Sequence, residues 1–367
     1  MNESLVTAFP SGRWHGRFVW CETPRIEAEP GSALARRAIA DSVTACFRRN
    51  LDLATVPACV PARVSADSRY ALFVNGAEVS RGPVRANGRR LHYDRVDLAP
   101  FLRPGRNAIA ALVRFFGRAN PWWAPVPASF ELGAGGFLFE AKLGDRWLAS
   151  DAEWRTLRAD AWQALPASGV GGMPIEVFDA GSLAADWQRA DFDDSAWRPA
   201  RVLAANHLGF GGRHEPPIAP YGALRPRPIA LLTSVPRDST LIRVARAAAQ
   251  APHDDPVATV LGDMKDSQAD AATALRWPLA LACDGTAPYV VTIDFGEVVA
   301  GTVTLDLDAP AGARIDVAAA EFAGADGRLD PDDERSGFRY LARGRDDRFQ
   351  TFPSLGFRSL CLSIRAR

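Results

Sequence analysis

The sequence predicts an all-β protein made of two antiparallel β-sandwich domains in tandem. Three observations carry this prediction. Apolar and polar residues alternate over short runs, turns rich in glycine and proline separate these runs about every ten residues, and few segments have helical periodicity. The 367 residues are enough for two domains, each able to bury its own core.

The predicted boundary between the domains is marked by proline and tryptophan. Five prolines fall between residues 216 and 228, where they interrupt helices and central strands. Nine of the ten tryptophans lie before residue 200. We therefore expect a first sandwich over residues 1–225 and a second over residues 226–367.

In the first domain, the clearest predicted element is a β-hairpin. Tyr70, Leu72 and Val74 alternate with other residues, Asn75-Gly76 supplies two residues that tolerate positive φ, and the alternation then resumes. A Pro104-Gly105 turn precedes a second predicted strand over residues 109–115, and residues 137–143 form a third.

In the second domain, Val303, Leu305 and Leu307 alternate with polar residues, which predicts a strand with one buried face. After the turn at residues 310–312, residues 315–319 are expected to be its antiparallel partner. Residues 360–364 form a predicted closing strand. Residues 239–250 fit a helix or a strand about equally well.

Composition and charge disfavour several classes of protein. The 43 basic and 43 acidic residues give a formal charge of zero, which offers no electrostatic attraction for nucleic acid or an anionic membrane. No apolar run reaches the length of a membrane-spanning helix. The first residues lack the pattern of a signal peptide, and five scattered cysteines do not indicate a disulfide framework. We expect a cytoplasmic protein.

Catalytic and metal-binding motifs are missing from the sequence. There is no GxSxG, GxGxxG, Walker or HExxH pattern, so no catalytic residue and no metal ligand is predicted. Two acidic groups could in principle provide paired carboxylates, Asp191 with Asp193 and Asp194, and the run over residues 330–334. Arg335 follows that run where an EF-hand has glycine, so no cofactor is expected, and calcium stays possible without a supporting motif.

One aromatic segment is a candidate binding element. In residues 120–125 (NPWWAP), Trp122 and Trp123 stand between prolines in a predicted loop, next to Asn120. An indole ring can stack on the apolar face of a sugar while an amide binds its hydroxyls. Asn120, Trp122 and Trp123 are therefore candidate carbohydrate-binding residues; the alternative is that one or both rings cap the sandwich core.

The order of several motifs resembles bacterial α-L-rhamnosidases of glycoside hydrolase family 78, in the β-sandwich region that precedes their catalytic domain. In the first half these motifs are residues 62–76 (ARVSADSRYALFVNG), Arg81-Gly82-Pro83, Tyr93-Asp94, residues 102–107 (LRPGRN), residues 192–197 (FDDSAW) and residues 224–229 (LRPRPI). In the second half they are residues 294–301 (DFGEVVAG), 309–312 (APAG), 320–321 with 326–327, and 355–358 (LGFR).

The resemblance implies a jelly-roll, galactose-binding-like sandwich followed by a concanavalin-like one. Catalysis in that family lies in an (α/α)6 barrel, and none of its catalytic residues can be placed on this sequence. The resemblance therefore implies a non-catalytic accessory region that binds carbohydrate, with rhamnose-containing glycans as partners, or that scaffolds a catalytic (α/α)6 domain. The alternative is an inverting α-L-rhamnosidase whose catalytic domain is missing from this chain or supplied by another chain.

Overall fold

The structure is a computed structural model of the full chain. It describes residues 7–9, 13–23, 26–28, 36–38, 42–85, 91–117, 135–165, 175–203, 224–269, 277–283, 285, 287–322, 329 and 336–366. These residues form two compact units. Unit 1 comprises residues 1–160 and 185–231, and unit 2 comprises residues 161–184 and 232–367.

The chain is built almost entirely of strands. The first thirteen are β1 (Val19–Trp20), β2 (Ile26–Ala28), β3 (Arg36–Ala38), β4 (Val43–Leu53), β5 (Pro61–Asp67), β6 (Arg69–Val74), β7 (Ala77–Gly82), β8 (His92–Asp97), β9 (Gly105–Phe115), β10 (Gly136–Leu143), β11 (Arg146–Ala149), β12 (Arg155–Arg158) and β13 (Trp162–Leu165). The others are β14 (Ile175–Asp179), β15 (Arg198–Pro199), β16 (Arg201–Val202), β17 (Arg225–Pro226), β18 (Leu241–Ala247), β19 (Ser267–Ala269), β20 (Tyr289–Gly301), β21 (Thr304–Leu307), β22 (Arg314–Ala320), β23 (Ser336–Leu341), β24 (Asp347–Gln350) and β25 (Leu355–Arg365). Helix α1 spans Pro256–Lys265, and short 3₁₀ turns lie at Ala99–Phe101 and Ala180–Ser182.

Unit 1 is a β-sandwich of two main sheets. One has the order β16-β1-β10-β5-β8-β17, with β11 also paired to β10, and the other has the order β15-β12-β4-β9-β6-β7. Apolar residues of both sheets share one core, for example Val64 of the first sheet with Leu72 and Val113 of the second. This shared core follows from strand alternation, which gives each sheet one apolar inner face.

The predicted hairpin is confirmed. β6 and β7 pair around Asn75 and Gly76, whose φ angles of 53° and 87° are the left-handed values that a tight two-residue turn needs. The predicted strands at 109–115 and 137–143 correspond to β9 and β10.

Unit 2 is built around one sheet of eight strands in the order β13-β14-β23-β22-β25-β20-β18-β19. Its pairs are antiparallel except for β14 with β23, which is parallel. Helix α1 packs on this sheet, where Val257, Val260 and Met264 join a core with Val290 and Ala318. The all-β prediction is thus confirmed in both units, and the ambiguous segment at 239–250 contains strand β18.

One predicted strand pairing is wrong. β21 pairs with β24, in a two-stranded sheet, and not with β22 across the Pro310–Gly312 turn. β22 instead lies between β23 and β25. Asp306 and Thr304 of β21 are exposed, whereas β22 is buried along most of its length, so the two strands suit different surroundings.

The predicted boundary at residue 225 stays a prediction as a boundary between two family domains. The structure adds a feature that the sequence did not indicate. Residues 161–184, which lie well before that boundary, supply β13 and β14 to the sheet of unit 2.

Candidate functional site

The predicted carbohydrate-binding residues Asn120, Trp122 and Trp123 lie outside the described residues. The described ends of their loop show where it leaves the sandwich of unit 1. Phe116, just after β9, donates its backbone N–H to Ser68 Oγ at 3.1 Å, and Gly136 begins β10 opposite Asp67 of β5. The loop therefore starts in one sheet, ends in the other, and departs from the end of the sandwich that contains Asp67 and Ser68.

A buried carboxylate lies at this same end. Asp94 of β8 is fully buried and accepts hydrogen bonds on both oxygens, from Tyr70 Oη at 2.5 Å and from Arg227 Nε at 2.5 Å. Burial and the negative charge of Asp94 raise the pKa of Tyr70 well above its usual value, so its hydroxyl remains a donor. Asp94 is therefore an acceptor that joins the two sheets and the segment after β17.

Gly82 makes room for this carboxylate. A Cβ at residue 82 would lie 1.9 Å from Asp94 Oδ2 and 3.0 Å from the Tyr70 ring. The Arg81-Gly82-Pro83 and Tyr93-Asp94 motifs are therefore in contact, because the Asp94 carboxylate occupies the space that a side chain at residue 82 would fill.

Arginines surround Asp94 in excess. Strand β17 runs parallel to β8, with Arg225 opposite His92 and Arg227 just after the strand. Arg69 donates from Nη1 to the backbone oxygen of Pro83. Burial, followed by the charge of Arg227, lowers the pKa of Arg69. Burial also lowers the pKa of His92, with Arg225 and Arg227 adding to the effect and Asp94 opposing it. Both shifts are therefore mainly effects of burial, to which the neighbouring arginines add.

A second buried ion pair has a structural role. Arg63 of β5 and Glu140 of β10 are register partners on adjacent strands, and their side chains join at 2.6 Å. Glu140 also accepts from the backbone N–H groups of His15 and Gly16 at 2.6 and 3.1 Å, and the Arg63 guanidinium lies 3.8 Å from the Trp14 ring centre. The pair therefore fixes the N-terminal segment on the outer face of the sheet.

The first acidic group is also structural. Asp194 accepts from the fully buried Arg48 at 3.0 Å and from Asn50 at 3.1 Å, and Asp193 accepts from the backbone of Ser195. Arg48 further donates to the backbone oxygens of Trp187, Arg189 and Phe192. The FDDSAW segment is thus held by one buried guanidinium, a role that the sequence did not predict. The acidic run at 330–334 lies outside the described residues.

In unit 2, arginine side chains bind several carboxylates. Asp316 accepts from Arg314 at 2.7 Å and from Arg339 at 2.5 Å, and Asp263 accepts from Arg365 at 2.8 Å. Asp294, at the bulge of β20, accepts from both Nε and Nη2 of Arg358. The hydrogen bonds from Arg358 lower the pKa of Asp294, which favours an ionised acceptor over a general acid.

Thiol and metal chemistry receive no support from the described residues. The five cysteines are free, and burial raises the pKa of Cys21 and of Cys361 to about 12, so neither thiol is activated as a nucleophile. Within the described ranges, no group of three or more His, Cys, Asp or Glu side chains could hold a metal ion. No helix there has the length and hydrophobicity needed to span a membrane.

Comparison with known proteins finds sequence similarity to α-L-rhamnosidases over part of the chain and a shared fold over most of it. Residues 58–220 match the family model of the α-L-rhamnosidase N-terminal domain. The chain is 27% identical over 200 residues to an α-L-rhamnosidase of Streptomyces avermitilis, an alignment that covers 54% of this chain and 16% of the relative.

Two solved structures show the same fold. The glycoside hydrolase family 78 rhamnosidase of Bacillus sp. GL1 superposes with a TM-score of 0.77 at 21% identity, covering 97% of this chain and 54% of the other. The Streptomyces avermitilis α-L-rhamnosidase complexed with L-rhamnose gives 0.54 at 19% identity, covering 89% and 28%. The chain thus spans about half or less of the length of these proteins.

Proposed function

We propose that the chain is a non-catalytic accessory region of an α-L-rhamnosidase-like glycoside hydrolase, because residues 58–220 match the family model of the α-L-rhamnosidase N-terminal domain. Its role is to contact carbohydrate or to support a catalytic domain. The family match carries the proposal, and the shared fold over 97% of the chain extends it to unit 2. The structural roles of the described buried carboxylates agree with an accessory role.

Carbohydrate contact is supported by the loop between β9 and β10. It contains Asn120, Trp122 and Trp123 and joins the two sheets at one end of the sandwich. Loops at the end of a rigid sandwich are common positions for binding residues. An indole stacked on a pyranose ring, with an amide beside it, suits a rhamnose-containing glycan.

A scaffolding role is supported by apolar side chains on the surface of unit 2. Val298 is 56% exposed, Phe322 65% and Leu232 85%. Contiguous exposed apolar patches often mark contacts with other protein surfaces, and these three side chains are candidates for such a patch. The partner proposed is the catalytic (α/α)6 domain that the family resemblance implies.

Calorimetric titration of the purified chain with L-rhamnose and a rhamnose-containing oligosaccharide, with and without calcium, tests carbohydrate contact. We expect saturable binding in the millimolar range, about 4 kcal/mol, and its loss in Trp122→Ala or Trp123→Ala. Trp277→Ala is the control, because Trp277 is 54% exposed in unit 2. If no sugar gives a binding signal, scaffolding remains as the proposed role. If sugar binding requires calcium, the chain has a cation site.

The catalytic alternative has its own test. If the chain is part of an inverting α-L-rhamnosidase completed by a second chain, it should release nitrophenol from an aryl α-L-rhamnoside only when that chain is added. Release by the purified chain alone would contradict the accessory role. The cytoplasmic location also remains a proposal, tested by fractionation of the source cells.

A further inference from the structure

The end of unit 1 from which the β9–β10 loop departs carries more guanidinium than carboxylate. Arg69, Arg225 and Arg227 lie there with two buried carboxylates, Asp94 and Asp67. Both Asp94 oxygens already accept, one from Tyr70 and one from Arg227. Even when Asp94 and Asp67 each offset one cation, the three arginines keep a positive excess.

The strand register arranges these arginines from the interior to the surface. Arg225 pairs with His92 and Pro226 with Tyr93, so the alternation of side chains puts Arg225 and Arg227 on the same side of the sheet as His92 and Asp94. Arg227 is 9% exposed at its side chain, Arg69 is partly buried, and Arg225 is exposed. A ligand could reach the group from the Arg225 side.

Hydrogen bonding leaves donors available. Among the described residues, the side-chain acceptor of Arg69 is the neutral Pro83 carbonyl, Arg227 uses Nε on Asp94, and no acceptor lies within hydrogen-bond distance of the Arg225 side chain. A guanidinium has five N–H donors in a planar fork, so several have no acceptor within the part of the chain that the structure describes. After burial, the charge of Arg227 is the next cause that lowers the pKa of Arg69, so these two guanidinium groups lie within electrostatic range of each other.

A carboxylate fits this arrangement better than a neutral hydroxyl. Its two oxygens match the guanidinium fork, and its charge offsets the positive excess of the group, in which Arg69 is partly buried and therefore costly to leave uncompensated. Arg69 also lies near the loop proposed to bind sugar. It follows Ser68, whose hydroxyl accepts a hydrogen bond from the backbone N–H of Phe116 at the base of the β9–β10 loop.

We propose that Arg69, Arg225 and Arg227 form a subsite for the carboxylate of a hexuronic acid residue in a glycan. This inference rests on the proposed carbohydrate contact of unit 1 and adds the class of sugar that the end of the sandwich accepts.

The test compares two sugars that differ at one group. D-galacturonate and D-galactose are titrated separately into the full chain by calorimetry at low salt. We expect millimolar binding of galacturonate and none of galactose, with affinity falling about tenfold in Arg225→Gln and falling with added sodium chloride. Arg201→Gln is the matched control, because Arg201 is an exposed arginine in β16 at the opposite edge of the same sheet.

Several results would overturn the subsite. They are equal binding of the two sugars, no binding of galacturonate, an equal loss in Arg201→Gln, or inorganic phosphate binding as tightly as galacturonate. Arg227→Lys keeps a cation beside Asp94, and it should weaken galacturonate binding without lowering the melting temperature by more than a few degrees. L-rhamnose titrated in parallel separates the two proposals: rhamnose binding without galacturonate binding would refute the subsite alone, and silence with both would refute the carbohydrate contact as well.

Discussion

At Gly82 the backbone passes so close to Asp94 that no side chain can be accommodated. The missing Cβ would lie 1.9 Å from Oδ2, well inside the contact distance of carbon and oxygen. Asp94 cannot retreat without losing Tyr70 or Arg227, because each of its oxygens is bonded to one of them. A glycine in a strand interior thus marks a close approach of a buried group.

Gly82→Ala should therefore destabilise unit 1 by about 2 to 3 kcal/mol, because the methyl group must displace a buried, hydrogen-bonded carboxylate. Urea denaturation followed by tryptophan fluorescence measures the change. Gly301→Ala is the control: that strand glycine has ordinary φ and nothing within 4 Å of an added Cβ. Equal stability of the two variants would show that the approach at Gly82 is relieved by a simple shift.

His92 should make stability depend on pH. Burial, with the charges of Arg225 and Arg227, lowers its pKa in the folded state below the ordinary value of 6.5, and Asp94 opposes this. The unfolded state then binds a proton more readily, so the free energy of unfolding falls as the pH drops through about 6.5 and stops falling below the folded pKa.

Replacing the imidazole tests this dependence. In His92→Gln the decrease of the urea midpoint between pH 7 and pH 5 should be smaller than in the wild type. His253→Gln, which changes an exposed histidine of unit 2, should keep the wild-type decrease. An identical pH profile in His92→Gln would show that other groups cause the change.

Sequence reasoning reached the residues of this site only in part. Gly82 and Asp94 were found as members of two motifs, but the sequence does not show that these motifs touch. Arg48 and Asp194 are separated by 146 residues, and only the fold brings them together. Trp122, Trp123 and Asn120 are recognisable from residue type, and their role stays a prediction.

At the scale of elements, local signals were reliable where the turn determines the pairing. Asn75-Gly76 fixes β6 against β7 because two left-handed residues leave little choice of register. The Pro310–Gly312 turn does not join its flanking strands in the same way. Alternation in β21 predicts a strand correctly but cannot tell which strand lies beside it, since pairing depends on long-range packing.

Helix α1 was missed for a similar physical reason. Val257, Thr259, Val260 and Gly262 have low helix propensity, so the segment has little helical tendency of its own. The signals that could have revealed it are Asp255 at the N-cap and Pro256 at the first helical position. Packing on the sheet supplies the rest of its stability.

Asp255→Ala should destabilise unit 2 by about 1 kcal/mol, because the Asp255 carboxylate accepts from the backbone N–H groups of Val257 and Ala258. Urea denaturation followed by circular dichroism measures the loss. Asp254→Ala is the adjacent control, since the described contact of Asp254 uses its backbone oxygen, which accepts from Arg339. Equal losses in both variants would show that the acidic pair acts through its charge and not as a cap.

At the scale of the whole molecule, chain order and folded unit differ. Residues 161–184 come before the proline-rich segment yet belong to unit 2, where β14 runs parallel to β23. Proline content and tryptophan distribution report on local composition, so they cannot reveal a strand contributed from an earlier part of the chain. Phe178 of β14 lies 5.3 Å from Phe349 between ring centres, and Trp162 of β13 stacks on Phe178 at 4.0 Å.

A fragment of residues 226–367 should therefore fold poorly, because it lacks β14, whose Phe178 packs on Tyr340 and Phe349, and leaves β23 as an unpaired edge. A second fragment, with residues 161–184 joined by a glycine-serine linker to residues 232–367, should unfold cooperatively and bind less of the dye ANS. Thermal circular dichroism and dye fluorescence compare the two. Phe178→Asp in the second fragment should return it to the behaviour of the first, since it places a charge among aromatic rings. Cooperative unfolding of residues 226–367 at the same midpoint would show that β13 and β14 are peripheral to the unit.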